Sequence, residues 1–424
     1  AVMSAPESDN TRDHDIVIYG ATGFVGKLTA QYLAKAGGDA RIALAGRSPD
    51  KLLAVRESLG ETAQSWDLIS ADAEQPSTLA AMAASTRVVI TTVGPYLRYG
   101  MPLVAACAAA GTDYADLTGE TLFVRQAIDL YHKQAVDTGA RIVHACGFDS
   151  IPSDLTVFAL YRQAERDGTG ELVDTNYVAR SFAGGVSGGT VASMVELARE
   201  ASADPEARRL LNDPYTLSPD PAAEPQLGPQ PDARWRRGRD IAPELDGYWV
   251  GAFAMAIPNT RVVRRSNALL GYPYGRRFTY AEHMSVGRSP VAPVAAAMAT
   301  GGNMATMGLG SRFLNRVPRG FLERILPKVG SGPSEQTREK GHYTVETYTT
   351  TTTNARYLAR MSQQGDPGYK ATSVLLGESG LALALDRDKL SDLRGVLTPA
   401  AAMGDALMAR FPAAGVSLEV SRLG

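Results

Sequence analysis

The chain has 424 residues, of which 44% are hydrophobic and 21% charged, and its formal net charge is −2. Since this length exceeds what a single hydrophobic core usually covers, two domains are expected, and since phosphate binding needs a basic face, the near-neutral charge argues against a nucleic-acid partner. Cys107 and Cys146 are the only cysteines and the five histidines form no HExxH pair, so neither a disulfide framework nor a zinc site is expected.

The first 150 residues alternate short apolar strands with helices. The polar start lacks the apolar segment of a secretory signal, which favours the cytoplasm. The predicted strands are 15–19, 40–45, 66–70, 87–93, 113–116 and 141–145, and the predicted helices are 27–35, 49–59, 76–84, 102–110 and 122–138. Such alternation is typical of a parallel sheet with helices on both faces. We therefore expect an α/β fold with a Rossmann-type doubly wound parallel sheet over residues 11–150.

The pattern changes after Phe148. The next predicted elements are a strand at 172–182, a helix at 191–201, an irregular Pro-, Asp- and Arg-rich excursion at 204–246 and a β-branched strand at 345–353. They predict a second, α+β domain on a largely antiparallel sheet over residues 151–370. The C-terminal segment 371–424 is expected to return to the first domain, with helices at 371–385 and 399–411 and a strand at 416–420.

Residues 291–310 contain no charged side chain and are rich in Ala, Met and Gly. A membrane span needs about 20 strongly apolar residues, whereas this stretch is interrupted by Pro293, Asn303 and several Thr and Gly residues. We interpret it as a buried or interfacial helix. Three possibilities stay open for it: ordinary core, the wall of an apolar substrate groove, or peripheral contact with the inner membrane.

The strongest motif is the turn Gly20-Ala-Thr-Gly-Phe-Val-Gly26, which follows the first strand and opens the first helix. In this setting a GxxGxxG pattern predicts a dinucleotide site. Gly20 permits the tight turn, Gly23 lets the backbone approach a pyrophosphate, and Gly26 allows close packing of helix on sheet. The N–H groups and the dipole of the helix start then attract the phosphates. The expected cofactor-binding residues of this turn are Gly20, Thr22, Gly23, Phe24, Val25 and Gly26.

The residues after the second strand favour NADP over NAD. An NAD enzyme usually has an acidic side chain there for the ribose 2′-OH, but this chain has Ala45-Gly46-Arg47-Ser48. The Arg47 guanidinium can pair with a 2′-phosphate, and the Ser48 hydroxyl can add a hydrogen bond. The alternative is an exposed Arg47 without a ligand. Asp72, after the third strand, is placed to meet the adenine.

Two loops that follow the fourth and sixth strands are expected near the nicotinamide. In a doubly wound sheet, ligands bind beyond the carboxyl ends of the strands. The loop Val93-Gly94-Pro95 is therefore predicted to lie along the cofactor. Asp149, Ser150 and Tyr96 are the polar side chains expected nearest the reacting carbon.

Seven motifs are spread over nearly the whole chain. They are Gly20-Ala-Thr-Gly-Phe-Val-Gly26, Ala45-Gly-Arg47, Val93-Gly-Pro-Tyr96, Tyr114-Ala-Asp-Leu-Thr-Gly-Glu120, Cys146-Gly-Phe-Asp-Ser-Ile-Pro-Ser-Asp154, Gly184-Gly-Val-Ser-Gly-Gly-Thr190 and Leu397-Thr-Pro-Ala-Ala-Ala-Met-Gly404. In combination they resemble the saccharopine dehydrogenase-like oxidoreductases. The cluster of basic side chains that saccharopine dehydrogenases need for an amino-dicarboxylate has no clear counterpart here, so another substrate is expected.

Within this family, four stretches are similar to the mycobacterial trans-acting enoyl reductases of phthiocerol and phenolphthiocerol lipid synthesis. They are Asp204-Pro-Glu-Ala-Arg-Arg209, Asp213-Pro-Tyr-Thr216, 261–269 and Gly341-His-Tyr-Thr344. The resemblance implies NADPH-dependent reduction of a carbon–carbon double bond in an acyl chain held on a polyketide synthase or acyl carrier domain. It also implies a homodimer.

The implied reaction needs hydrogen-bond donors. Hydride addition at the β-carbon of an enoyl thioester turns the thioester oxygen into an enolate, which N–H or O–H donors stabilise, and a side chain or water protonates the α-carbon. Tyr96, Tyr114 and Ser150 are the candidate catalytic donors. For each tyrosine the alternative is a packed ring with a satisfied hydroxyl.

Two rival functions stay open. Gly185-Val-Ser187-Gly-Gly189 matches the nucleophile elbow of serine hydrolases, and Asp246 and His283 or His342 follow it. The N-terminal alternation is already used by the nucleotide fold, however, so a helix-capping turn that receives a phosphopantetheine phosphate or a thioester oxygen is the milder interpretation of 184–190. The other rival is a non-catalytic NADP-binding scaffold of a lipid synthase.

Overall fold

The computed structural model of the protein describes residues 11–183, 199, 201–308, 318, 320, 324 and 332–424. These residues form two seven-stranded sheets with helices packed against them. The strands are β1 His14–Tyr19, β2 Ile42–Gly46, β3 Asp67–Ser70, β4 Thr86–Thr91, β5 Asp113–Ala115, β6 Arg141–Val143, β7 Leu172–Ala183, β8 Arg236–Arg237, β9 Trp249–Ala252, β10 Thr279–Gly287, β11 His342–Thr351, β12 Arg356–Gln364, β13 Gly395–Leu397 and β14 Val416–Arg422. The α-helices are α1 Phe24–Ala36, α2 Pro49–Ser58, α3 Pro76–Ala84, α4 Tyr96–Tyr99, α5 Met101–Ala110, α6 Thr121–Thr138, α7 Ile151–Asp167, α8 Pro205–Asn212, α9 Ala256–Leu269, α10 Ala292–Gly308, α11 Glu335–Lys340, α12 Thr372–Leu385 and α13 Pro399–Arg410.

The first sheet is parallel, in the order β13-β6-β5-β4-β1-β2-β3. Its inner strand β1 is buried along its whole length. Ile16 and Ile18 belong to one hydrophobic cluster and Val17 and Tyr19 to another, because successive side chains of a strand point to opposite faces. Both faces are therefore covered, and the predicted Rossmann-type doubly wound sheet is confirmed.

The second sheet is mostly antiparallel, in the order β14-β12-β11-β7-β10-β9-β8, with β7 and β10 pairing in parallel. Tyr177 of β7 and Tyr343 of β11 belong to the same hydrophobic cluster as Leu155 of α7 and Ile16 of the first sheet. One face of the second sheet therefore packs towards the nucleotide-type sheet. The predicted second unit on a largely antiparallel sheet is confirmed.

Helix α7 is an element that the sequence patterns did not predict. Its first half is buried at every position, including the polar residues Ser153, Asp154 and Thr156. A helix that is covered all round shows no apolar stripe with a 3.6-residue period, which is the pattern by which helices are recognised. The excursion 204–246 was also expected to be irregular, yet it contains α8. The helix predicted at 191–201 lies outside the described residues except for positions 199 and 201.

The C-terminal segment divides between the two sheets. Strand β13 pairs with β6, with Gly395 opposite Arg141, so the chain rejoins the first sheet there. Strand β14 instead pairs with β12 of the second sheet, with Val420 opposite Ala359. The expectation that the last strand joins the first domain is therefore wrong. The physical reason is that α13, which follows β13, packs on α7, and α7 packs on β12, so the chain emerges beside the second sheet.

The stretch predicted as a buried or interfacial helix forms α10. Its Ala296 packs on β9, where a Cβ on Gly251 would lie 2.6 Å from the Ala296 carbonyl oxygen. On the other side, three apolar side chains near its start are more than 60% exposed: Val291, Val294 and Met298. None of the described helices, α10 included, combines the length and the apolar character needed to cross a bilayer.

Candidate active site

The turn between β1 and α1 has the shape that its glycines predict. Gly20 has a φ of +86°, and a Cβ there would lie 2.8 Å from the Thr92 side chain. A Cβ on Gly26 would lie 2.0 Å from the Gly20 carbonyl oxygen. Both positions therefore exclude any side chain, the first by conformation and crowding and the second by crowding alone.

The start of α1 is left open for an anion. Gly23 is exposed, occupies the N-cap position and offers no side chain to cap the helix. The first N–H groups of a helix have no partner within the helix and carry its positive dipole end. Thr22, Phe24 and Val25 are partly exposed beside this opening. The turn is therefore a cradle of backbone donors that fits a pyrophosphate.

Arg47 lies at the carboxyl end of β2, where the 2′-phosphate of NADP was expected. Its side chain is exposed and has no hydrogen-bond or ion-pair partner among the described residues. Burial and then the Asp72 carboxylate raise the pKa of Tyr19, and the Arg47 guanidinium opposes them, so Arg47 and Asp72 both act on Tyr19. The Ser48 hydroxyl accepts a hydrogen bond from the Lys51 N–H at 3.4 Å and caps α2.

The loop Val93-Gly94-Pro95 is partly exposed beside the cradle, and a side chain that sequence reasoning missed holds its far end. The two carboxylate oxygens of Glu120 accept hydrogen bonds from the backbone N–H groups of Tyr96 at 2.8 Å and Leu97 at 3.0 Å. Glu120 is 1% exposed. No local pattern signals this contact, because Glu120 lies 24 positions after Tyr96.

The three candidate catalytic donors are all buried in structural contacts. The Tyr96 hydroxyl donates to the Thr91 carbonyl at 3.1 Å and accepts from the Leu117 N–H at 3.2 Å. The Tyr114 hydroxyl donates to Asp116 at 2.6 Å. The Ser150 hydroxyl donates to the Asn259 side-chain oxygen at 2.8 Å.

These contacts correct the expectation that Tyr96, Tyr114 and Ser150 donate hydrogen bonds to substrate. Each hydroxyl is already engaged, and none of the three side chains is more than 5% exposed. Burial raises the pKa of both tyrosines well above its usual value. The packed ring with a satisfied hydroxyl, given as the alternative for each tyrosine, is what the structure shows.

Behind these residues lie two buried polar networks. In one, the Asp116 carboxylate bonds the Tyr114 hydroxyl and, at 2.7 Å, the Nδ1 of His144. In the other, Asn259 links Ser150 to Glu282, whose second oxygen accepts the Tyr280 hydroxyl. Burial raises the pKa of Glu282 to about 8. The first network joins the carboxyl ends of β5 and β6, and the second links the segment after β6 to β10 of the second sheet.

Asp149 is the acidic side chain that the structure leaves available at this edge. It is partly exposed, and among the described residues it has no hydrogen-bond or ion-pair partner. Burial raises the pKa of Asp149 to about 6. Its charge also helps to raise the pKa of Tyr177 in the second sheet, after burial, Glu282 and Tyr343.

Phe148, the neighbour of Asp149 in the chain, and Tyr177, on which the charge of Asp149 acts, each belong to a packed pair of aromatic rings. Phe148 packs on Tyr343 with ring centroids 4.7 Å apart, and Tyr177 packs on Phe253 at 5.2 Å. These rings come from loops and strands far apart in sequence, so no motif predicted the cluster. Its apolar character fits an acyl chain better than an amino-dicarboxylate.

Two other expectations concern a metal ion and a serine nucleophile. Across the ranges that the structure describes, no group of three or more His, Cys, Asp or Glu side chains could hold a metal ion. Ser187, the nucleophile of the rival hydrolase interpretation, lies outside the described residues, as does the whole motif 184–190.

Comparison with protein families supports the nucleotide site. Residues 16–143 match the family described as saccharopine dehydrogenase NADP binding domain. The matched range runs from β1 to β6 and includes the glycine cradle and Arg47. The prediction that this domain binds NADP(H) is confirmed.

Relatives match the chain over nearly its full length. A protein from Mycobacterium tuberculosis strain H37Rv is 70% identical over 412 residues, which cover 97% of this chain and 98% of that protein. The trans-acting enoyl reductase of Mycobacterium bovis strain BCG is 64% identical and covers 97% of this chain and 99% of its own. The trans-acting enoyl reductase of Mycobacterium ulcerans is 63% identical and covers 98% and 100%.

A solved structure shows the same fold. The apo saccharopine dehydrogenase (L-Glu forming) of Saccharomyces cerevisiae superposes with a TM-score of 0.53 and covers 97% of this chain and 100% of its own. Its sequence identity is 13%, so the likeness concerns the arrangement of the two sheets alone.

Proposed function

This chain belongs to the trans-acting enoyl reductases of the saccharopine dehydrogenase-like family, and from that premise we propose that it uses NADPH to reduce a carbon–carbon double bond in an acyl chain held on a polyketide synthase or acyl carrier domain. The proposed pathway is phthiocerol and phenolphthiocerol lipid synthesis. The observation that carries the proposal is the glycine cradle together with Arg47, which follows β2 where an NAD enzyme has a carboxylate and which has no ion-pair partner among the described residues.

Different residues of the chain bind the cofactor and position the loops around it in this proposal. The bound cofactor supplies a hydride for the β-carbon of the enoyl group. The turn Gly20–Gly26 holds the phosphates, and Arg47 selects the 2′-phosphate. Glu120 positions the loop Val93-Gly94-Pro95 along the cofactor through its bonds to the backbone. Tyr96, Tyr114 and Ser150 act as positioning residues.

Asp149 supplies the proton in this proposal. A general acid works best when its pKa lies near the operating pH, and a pKa of about 6 meets that condition, whereas a carboxyl in water does not. The carboxyl follows β6 at the carboxyl edge of the first sheet, where ligands of doubly wound folds bind.

An apolar strip on the second sheet suits the acyl chain. Strand register places Met284 beside Ala179 and Tyr343 opposite Phe182, and paired residues share one face of a sheet. Phe182 is 46% exposed, whereas Tyr343 is buried against Phe148. The strip therefore runs from the ring pair Phe148–Tyr343 towards the surface, as a chain tethered to an external carrier requires.

The experiment combines the purified protein with NADPH and an α,β-unsaturated acyl thioester. We expect nucleotide oxidation together with a product that has gained two hydrogen atoms, and slower oxidation of NADH. NADPH binding without oxidation, across short and long acyl thioesters and a carrier-bound one, would instead support the non-catalytic scaffold.

We further propose a cytoplasmic homodimer that touches the inner membrane through the segment 291–310. The exposed side chains of Val291, Val294 and Met298 support the membrane contact. Strand β14 pairs with β12 on one side, and among the described strands none covers its other edge, which supports pairing with a second copy. Light scattering tests the dimer, and co-sedimentation with anionic vesicles, compared with Met298→Asp, tests the membrane contact.

A further inference from the structure

The ring of Phe24, the first residue of α1, is enclosed by residues from the far end of the chain. Tyr369 packs edge-on against it with centroids 5.0 Å apart. The Arg338 guanidinium carbon lies 5.0 Å from the ring centroid. A Cβ on Gly332 would lie 2.4 Å from the ring, so the backbone at this glycine also touches it. Gly332 and Arg338 therefore lie against the side chain of Phe24.

The backbone of Arg338 is held by a hydrogen bond, whereas most N–H groups of its guanidinium have no acceptor among the described residues. The Arg338 carbonyl accepts the Asp366 N–H at 2.9 Å, and one guanidinium nitrogen donates to the Pro333 carbonyl at 2.5 Å. Arg338 makes no ion pair with any described residue. It acts on the Asp366 carboxylate only at longer range. A guanidinium has five N–H donors, so those of Arg338 that do not bond Pro333 can donate to a ligand.

We propose that Arg338 binds the pyrophosphate of the nicotinamide cofactor, across the ring of Phe24. This rests on the proposed binding of NADP(H) in the glycine cradle. Phe24 follows Gly23 directly, so a guanidinium over its ring stands at the helix end where the backbone donors converge. Stacking on an aromatic face holds the guanidinium plane and leaves its edge free for a bidentate bond to phosphate.

Arg338 and Arg47 bind different parts of the cofactor in this proposal: Arg338 binds the pyrophosphate and Arg47 binds the 2′-phosphate. The pyrophosphate is common to NADH and NADPH, whereas the 2′-phosphate belongs to NADPH alone. Arg338 therefore contributes equally to the binding of both nucleotides. It also comes from the second half of the chain, so the bound cofactor links the segment 332–340 to α1.

The test measures dissociation constants of NADPH and NADH by calorimetry for the full chain and four variants. Arg338→Gln is expected to weaken both nucleotides by about tenfold or more, because a charge-assisted hydrogen bond is lost. Arg338→Lys keeps the charge without the planar fork, so a smaller rise is expected. Arg47→Gln is expected to weaken NADPH alone.

Arg276→Gln is the matched control. The Arg276 guanidinium also stacks on a ring, that of Tyr272 at 4.7 Å, and donates to the Ala223 carbonyl at 3.1 Å, but it has no contact with Phe24. Both dissociation constants of this variant should equal those of the wild type. Thermal melting checks that each variant is folded.

Three results would overturn the inference. If Arg338→Gln and Arg338→Lys are folded and bind both nucleotides as the wild type does, Arg338 has no part in binding. If Arg338→Gln weakens NADPH alone, it reads the 2′-phosphate. If the wild type binds neither nucleotide, the proposed function fails together with this inference, which distinguishes that outcome from the first two.

Discussion

Glu120 caps α4, the short helix that begins at Tyr96 directly after the loop Val93-Gly94-Pro95. Its carboxylate accepts the N–H groups of Tyr96 and Leu97 at 2.8 and 3.0 Å, and it does so in a site from which water is excluded. A carboxylate can accept both bonds because it carries no hydrogen on either oxygen. The loop that lies beside the cofactor cradle is therefore held by a residue from the start of α6.

Replacing Glu120 tests this contact. In Glu120→Gln an NH2 group replaces one carboxylate oxygen. This group is itself a donor, so the backbone N–H of Tyr96 or Leu97 that faces it loses its acceptor. We expect the free energy of unfolding to fall by about 1–3 kcal/mol and NADPH binding to weaken. Urea denaturation measures the first and calorimetry the second. Glu57→Gln, on the exposed face of α2, is the control and should change neither.

The buried hydroxyl of Tyr96 predicts a structural effect of its removal. Tyr96→Phe leaves the Leu117 N–H without its acceptor, so unfolding should become easier by about 1–3 kcal/mol. Turnover by the folded enzyme should stay within a few-fold of the wild type, whereas loss of a catalytic donor costs about 10²-fold or more. Tyr99→Phe is the control, since its hydroxyl has no partner among the described residues. A large loss of turnover without a loss of stability would contradict the structural assignment.

Cofactor preference tests Arg47. Removing its charge in Arg47→Gln removes the pairing with a 2′-phosphate and leaves the glycine cradle intact. The dissociation constant of NADPH should rise by about ten- to a hundredfold and that of NADH should not change. NADH thus serves as the internal control. Equal weakening of both nucleotides would show that Arg47 does not read the 2′-phosphate.

The pH dependence of turnover tests Asp149. The carboxyl holds its proton below a pKa of about 6, so turnover should fall as the pH rises through that value. Asp149→Asn should lower turnover by about 10²–10⁴-fold and remove this pH dependence. Asp39→Asn, at an exposed carboxyl, is the control and should keep the wild-type profile. An unchanged profile in Asp149→Asn would assign the proton to another group.

The same carboxyl makes a prediction about stability. The pKa of Asp149 is about 6 in the folded chain and 3.8 for an unperturbed Asp, as in the unfolded chain, so the folded chain binds more protons between these pH values. Ionisation therefore destabilises the folded state as the pH rises from about 4 to about 6. Asp149→Asn should be more stable than the wild type above pH of about 6 and equal to it below about 4. Thermal melting across this range would reveal the opposite sign if Asp149 had a partner in the fold.

Local features of the chain were predictable because their physics is local. The turn Gly20–Gly26 needs glycine for backbone reasons that hold in any Rossmann-type sheet, and the absence of an acid beside Arg47 is visible in the sequence itself. The alternation of strands and helices up to residue 145 likewise depends on short-range periodicity. The parallel sheet, the nucleotide cradle and the preference for NADP all followed from these patterns.

Contacts between distant positions were not predictable in this way. Glu120 reaches Tyr96 from 24 positions away, Asn259 reaches Ser150 across 109 positions, and Arg338 reaches Phe24 from the second half of the chain. The hydroxyls of Tyr96 and Tyr114 looked available from their place in the motifs, but Thr91, Leu117 and Asp116 engage them within the first domain. Whether a polar side chain meets substrate or another buried group depends on how segments that are distant in sequence pack together, and such a hydrogen-bond partner leaves no periodic pattern in the sequence.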